Sequence, residues 1–307
     1  MDPKAQVEGA RHACLAVPRA DLATLVVTGK DRVTWLNGLL TSDIVNRGPD
    51  AAVYGLIVGR NGRVLADTTV VFDDESSRLL AATPTAVLEA TRAHLDRYLV
   101  MEDAEVIPGG EGFRVWALHG PRSQSALQAA RSAGALGGMV DWTGLGGALL
   151  FAPANGERAV REVLQSVARI GDASGWETLR LERAIPSFGV DFDDKTYPQE
   201  AALEKTAVSF QKGCYLGQEV VCMLEMRGHV KRRLVSLVLA AECEQPPPRG
   251  TTVMSEQGAP VGELTSAAAS PTLDRVVALA MLKREVAHAG KRVRILGAPA
   301  EVVERPV

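Results

Sequence analysis

Cysteine and histidine are scarce in this chain and badly spaced for the common metal sites. The four cysteines are Cys14, Cys214, Cys222 and Cys243; they form no CxxC pair and have no zinc-ligand spacing to histidine. A reduced, cytosolic compartment fits this usage best. The five histidines form no pair with a nucleophile or with one another, so none is assigned a catalytic role. No apolar run approaches the roughly 20 residues needed to span a bilayer, the longest being of the kind seen at Val276–Leu282. The first twenty residues carry charges throughout and lack the apolar core of a secretory signal. A basic excess is missing too. The net charge is −3, which argues against direct DNA binding. No internal repeat is visible. These absences together predict a soluble, cytoplasmic protein without membrane partners.

What is present is a globular composition. The chain has 307 residues, 46% of them apolar, which suits two or three domains better than one core. Thr24–Thr28 reads as a strand, and Gly29-Lys30-Asp31 opens a helix to about Leu40. Strands follow at Tyr54–Val58 and Val64–Phe72. The Asn61-Gly62 turn between them is a strong hairpin signal. A strand at Arg78–Ala82, a helix from Pro84 and a strand at Ala104–Ile107 complete a split βαβ, or ferredoxin-like, order with one added strand. A second set holds strands at Phe113–Leu118 and Ala148–Phe151, with helices from Pro121, Glu157 and Trp176. Beyond residue 230 the pattern changes to short strands around Gln245-Pro246-Pro247-Pro248, with little helical periodicity, as in a small barrel. The expected fold class is α+β, with units at 1–110, 111–229 and 230–307.

The most specific stretch is Lys212-Gly213-Cys214-Tyr215-Leu216-Gly217-Gln218-Glu219. It sets a thiol beside a lysine, between two glycines and ahead of a helix start. A thiol acts as nucleophile or ligand only when ionised, and a nearby cation or helix N-terminus favours that form. The alternative is a core cysteine at a strand-to-helix turn. The basic run from Arg227 to Arg233 is either a solvated strand edge or an anion site. The folate glutamate tail and an acidic or RNA-bound partner are its candidate ligands.

The Cys214 stretch resembles the signature of the YgfZ-type folate-binding proteins, relatives of the glycine-cleavage T protein. The likeness extends along most of the chain. It includes Asn61–Asp67, then Leu179-Arg180-Leu181-Glu182 with Asp191 and Pro198-x-Glu200, and later Val261–Ser266 with Ser270–Leu273. The resemblance implies three subdomains around a folate pocket, two ferredoxin-like and one a barrel. It implies tetrahydrofolate, or a derivative, as cofactor, with Asp67 near its reactive nitrogen. Tyr215, Gln218, Glu219 and Arg227 are the further implied contacts. Without the family, Asp67 reads as a solvated strand end. The resemblance also implies an accessory role in iron–sulfur cluster assembly or repair, with cluster enzymes such as tRNA-modifying enzymes as clients. Cys214 would be the reactive group, open to the folate pocket, and Lys212 would support its charge. A tetrahydrofolate-dependent aminomethyltransferase and a non-catalytic folate-binding module are the alternatives. Active aminomethyl transfer is not expected, because two polar anchors of the T protein are missing. Trp176 stands where that family has an arginine, and segment 142–157 lacks its glutamate.

Overall fold

The computed structural model describes residues 2–226 and 228–307. Helix α1 (Pro3–His12) leads into strands β1 (Leu15–Pro18) and β2 (Leu22–Thr28), then helix α2 (Arg32–Asn37). Strands β3 (Val53–Val58), β4 (Val64–Asp73) and β5 (Arg78–Pro84) follow, with helix α3 (Leu88–Asp96) and strand β6 (Glu105–Pro108). The next stretch is β7 (Phe113–His119), α4 (Ser123–Ser132), β8 (Leu136–Met139), β9 (Gly147–Pro153), α5 (Glu157–Val167), β10 (Arg169–Ile170) and α6 (Ala173–Glu182). A long irregular segment then reaches α7 (Gln218–Met226). Six strands close the chain: β11 (Arg232–Leu239), β12 (Thr252–Ser255), β13 (Pro260–Ser270), β14 (Arg275–Lys283), β15 (Arg292–Ile295) and β16 (Ala298–Val303).

The first sheet has the order β3-β4-β5-β2-β6. Its last four strands are a ferredoxin-like arrangement, and β3 is the added edge strand. The second sheet runs β10-β1-β7-β9-β8. Removing β1 from that order leaves a second ferredoxin-like set. The N-terminal strand is inserted in it, parallel to β10 and antiparallel to β7. Residues 3–18 thus leave the expected 1–110 unit and join the 111–229 unit. The sequence reading missed this because β1 is four residues long and its partners are far away in the chain. It also missed β8, whose Gly137-Gly138 core carries no strand signal. Both glycines are nonetheless required, since a Cβ at Gly138 would lie 2.5 Å from the Ala52 backbone nitrogen.

Helices α2 and α3 cover the outer face of the first sheet through Trp35, Leu36 and Leu95. Helices α4 and α5 cover the outer face of the second through Leu127, Val160 and Leu164. The inner faces pack on each other, Val26, Val71 and Leu80 against Val115, Leu149 and Phe151. Each face alternates along its strands, which is why both sheets bury two sides. The third unit is a closed barrel in the order β11-β14-β13-β12-β15-β16, filled by Leu237, Leu264, Ala278, Leu282 and Ile295. The fold class is as expected, and the barrel also includes β12 and β16, which the sequence reading did not find.

Two buried carboxylates fasten the barrel to α6. Asp191 pairs with Arg180 at 2.8 Å and accepts hydrogen bonds from the Thr265 and Ser266 hydroxyls. Glu182 accepts from the Ser270 and Thr272 hydroxyls. Each charge is matched by donors, as burial requires. The Arg180–Glu182 block and the Ser266–Thr272 stretch, separate motifs in sequence, are therefore two halves of one joint.

Candidate functional site

Strand alternation puts Asp67, Thr69 and Val71 on one face of β4. Val71 lies under the second sheet, whereas Leu56, opposite Asp67, lies under the irregular segment that carries Phe192, Leu203 and Tyr215. Asp67 thus sits where the cover of the sheet changes, and a gap opens there. The Tyr54 hydroxyl donates to Asp67 Oδ2 at 3.0 Å. Oδ1 is shut off from solvent and has no partner. Burial raises the Asp67 pKa, opposed by the Tyr54 hydrogen bond and the charge of Arg19.

An aromatic wall closes this pocket. Trp142 meets Tyr54 edge-on at 6.1 Å, and Trp176 stacks on His119 at 4.6 Å and 10°. The Arg19 guanidinium lies 5.0 Å from the Trp176 ring centre and is held by both carboxylate oxygens of Asp21. His119 is fully buried with neither ring nitrogen hydrogen-bonded. Burial, with Arg19 nearby, pushes its pKa down to about 3, so the ring is neutral. The pocket between Asp67, Arg19 and the two tryptophans holds about 50 Å³. Tyr54, Trp142, Ile185 and Pro186 line both this pocket and a neighbouring central cleft of about 620 Å³ between the α/β body and the barrel.

The Cys214 stretch lies elsewhere. Cys214 is exposed and lines neither cavity. Lys212 is buried, and its ammonium donates to the carbonyl oxygens of Asn37, Leu40 and Ser42 and to Asn37 Oδ1. Those acceptors are left over where α2 ends at Gly38 rather than running on to Leu40 as its sequence predicts. Burial pulls the Lys212 pKa down to about 8. Tyr215 is buried in the cluster of Leu56, Val58 and Phe192, and burial raises its phenol pKa. Gly217 has a φ of +78°, and a Cβ there would lie 2.4 Å from the Gly59 carbonyl oxygen in the β3–β4 turn. Gly213, by contrast, faces open space. The signature therefore docks on the first subdomain through Lys212, Tyr215 and Gly217, and leaves Cys214 outside.

Among the residues expected from the sequence, the structure brings only Asp67 to the inner pocket. Tyr215, Gln218 and Glu219 line neither cavity, and Glu219 points to solvent. Arg227 lies outside the described residues. Arg19, Tyr54 and His119 were missed, because nothing in their local sequence marks them. Trp176 and Trp142 do stand at the pocket, where the sequence placed its two departures from the family. No group of three or more His, Cys, Asp or Glu side chains suited to a metal ion occurs among the described residues. No described helix is long and apolar enough to cross a membrane.

Residues 4–136 match the GCVT N-terminal domain, and residues 232–307 match the glycine cleavage T-protein C-terminal barrel domain. The chain has the domains and the fold of the glycine-cleavage T-protein superfamily. It superposes on a glycine cleavage system aminomethyltransferase T from Bartonella henselae with a TM-score of 0.84. The identity is 20%, over 99% of this chain and 89% of that one. Proteins named aminomethyltransferase share its sequence more closely. One from Nostoc sp. is 28% identical over 97% of this chain and 86% of its own length. One from Synechococcus sp. strain RCC307 is 27% identical over 98% and 89%, and one from Streptomyces coelicolor is 28% identical over 93% and 84%. Within this superfamily, the YgfZ-type likeness rests on the Cys214 signature alone.

Proposed function

We propose that the chain binds tetrahydrofolate, with Asp67 facing the reduced pterin and the ring system in the central cleft. The observation that carries this reading is Asp67 Oδ1, buried without a partner on a residue that lines a small pocket. A buried acceptor without a partner is costly, and a ligand N–H would satisfy it. The inner pocket has room for a few atoms only, which suits the edge of a ligand rather than a whole ring. A carboxylate beside the carbon-bearing nitrogen would stabilise positive charge developing there. Tetrahydrofolate supplies the one-carbon carrier; Asp67, Tyr54 and Arg19 set the charge around it.

Two uses of the bound folate differ in what supports them. The names of the relatives favour one-carbon transfer of the aminomethyltransferase kind. The exposed thiol of Cys214 favours the accessory role in iron–sulfur assembly, because a side chain offered to solvent suits a transient partner contact. A single cysteine provides one ligand, so this role would be a hand-off or thiol exchange, with the cluster as cargo.

One experiment separates the two. The purified chain is titrated with tetrahydrofolate by calorimetry and then assayed in a reconstituted glycine-cleavage system. Binding with turnover establishes one-carbon transfer. Binding without turnover, together with loss of cluster-enzyme activity in cells carrying only Cys214→Ser, establishes the accessory role. No binding sinks both.

A further inference from the structure

Trp176 stands where the T-protein family has an arginine, and its ring is held at the inner pocket from several sides. It sits in the first turn of α6, which Asp172 caps by accepting from the N–H groups of Ser174 and Gly175. It packs against the cluster of Val7, Leu15 and Leu179. The ring stacks on His119 at 4.6 Å and 10°, with the Arg19 guanidinium 5.0 Å from its centre. His119 is fully buried in β7 and lies 6.1 Å from Trp142, which in turn meets Tyr54. Arg19, Trp176, His119, Trp142 and Tyr54, from five separate segments, thus form one continuous wall. Tyr54 donates to Asp67, so the wall ends on the carboxylate.

A wall of stacked rings is stiffer than an arginine, whose long side chain has several free torsions. It limits the space beside Asp67 to about 50 Å³, in a pocket lined also by Thr69 and Ala82. One water takes about 30 Å³ of liquid volume, so the edge of a ring with its N–H groups fills this room. An added group on that edge must displace packed side chains, which a close-packed site resists.

We infer that Trp176 sets which carbon state of the folate the chain accepts, admitting a free N5 and refusing an N5 that carries a carbon group. The inference rests on the tetrahydrofolate reading and names the form of the ligand that this site selects. Unsubstituted tetrahydrofolate brings N–H groups at N5 and N10 to Asp67 and nothing bulkier. A formyl group on N5 adds two heavy atoms at that edge but keeps the N10–H. A methylene bridge between N5 and N10 removes both N–H groups, which leaves Asp67 Oδ1 still without a donor. The free form alone meets both demands. The limit on space comes from Trp176 and the need for a donor from Asp67, so substitution at Trp176 separates them.

The test titrates wild type, Trp176→Leu and Trp176→Phe with tetrahydrofolate and with N5-formyl tetrahydrofolate, by anaerobic calorimetry. The formyl ligand retains a donor for Asp67, so a lower affinity reports bulk. Circular dichroism checks the fold of each variant. Wild type is expected to bind the free form about tenfold more tightly than the formyl form. In Trp176→Leu the two should bind within about twofold, through a rise in affinity for the formyl form, with Trp176→Phe in between. Such a rise cannot come from a damaged fold. If Trp176→Leu does not fold, Trp176→Phe decides alone. Equal affinities in wild type, a preference there for the formyl form, or an unchanged preference in the folded variants would overturn the role of Trp176 while leaving the folate reading intact. Failure of both ligands to bind wild type would overturn the two together.

Discussion

The Lys212 ammonium donates to both the carbonyl oxygen and the side-chain oxygen of Asn37, at 2.5 and 3.0 Å. Two segments far apart in sequence are thereby pinned, and the lysine two residues from Cys214 is committed to the fold. Lys212→Met is expected to leave three carbonyls unpaired and cost at least about 3 kcal/mol in urea denaturation, at about 1–3 kcal/mol for each buried group left unsatisfied. The rate at which iodoacetamide labels Cys214 should change little. Slower labelling with unchanged stability would return the lysine to the thiol.

Cys214 and Cys14 should differ sharply toward alkylation. Cys14 is buried and its thiol is pushed up to about 11, whereas Cys214 is open to solvent. Mass spectrometry of the native protein should find Cys214 modified first and Cys14 untouched until denaturant is added. Cys214→Ser should leave the melting temperature within a degree or two of wild type, since an exposed substitution away from any cap or strained position has little effect. A thiol at position 214 that resists labelling would contradict its placement.

Asp67→Asn keeps the shape of the pocket and removes its charge. Tetrahydrofolate affinity is expected to fall by about tenfold, the weight of one charge-assisted hydrogen bond made neutral. Calorimetry with wild type and variant checks it. The Tyr54 hydroxyl keeps an acceptor in the amide, so stability should hold.

His119 predicts a pH dependence of stability. Its folded pKa of about 3 lies below the ordinary value of 6.5, so the unfolded chain binds the proton more readily. Stability from this group is present above pH 6.5 and lost as pH falls toward 3. The slope should approach about 1.4 kcal/mol per pH unit. His119→Phe should flatten the urea midpoint between pH 6.5 and 4. An unchanged slope would mean that the ring is hydrated in the native state.

The sequence was legible where physics is local. The Asn61-Gly62 turn forces the β3–β4 hairpin, and the apolar spacing of Val160 and Leu164 forces α5. The two ferredoxin-like orders and the barrel followed from such signals and from the family likeness. Asp67 could be chosen only through that likeness, since an aspartate in a strand carries no mark of what covers it. Arg19 and His119 were invisible because their meaning comes from Trp176, on an element formed much later in the chain. The role of Lys212 was misjudged for a related reason. A charge beside a thiol in sequence need not point at it, and here the unsatisfied end of α2 made the stronger claim.

The inserted strand β1 bears on how the chain is made. Leu15 leaves the ribosome early, but one neighbour contains His119 and the other Arg169. The second sheet cannot close while synthesis is short of β10, and until then β1 is an open edge with unpaired backbone groups. The five strands of the first sheet have by that time all emerged and can pair among themselves. Assembly is therefore sequential. The expected order is that the first subdomain forms a platform, with β1 tethered to it, before the second subdomain condenses around that strand. A pause or truncation between His119 and Arg169 would release a half-built sheet, the species most prone to pair with another copy of itself.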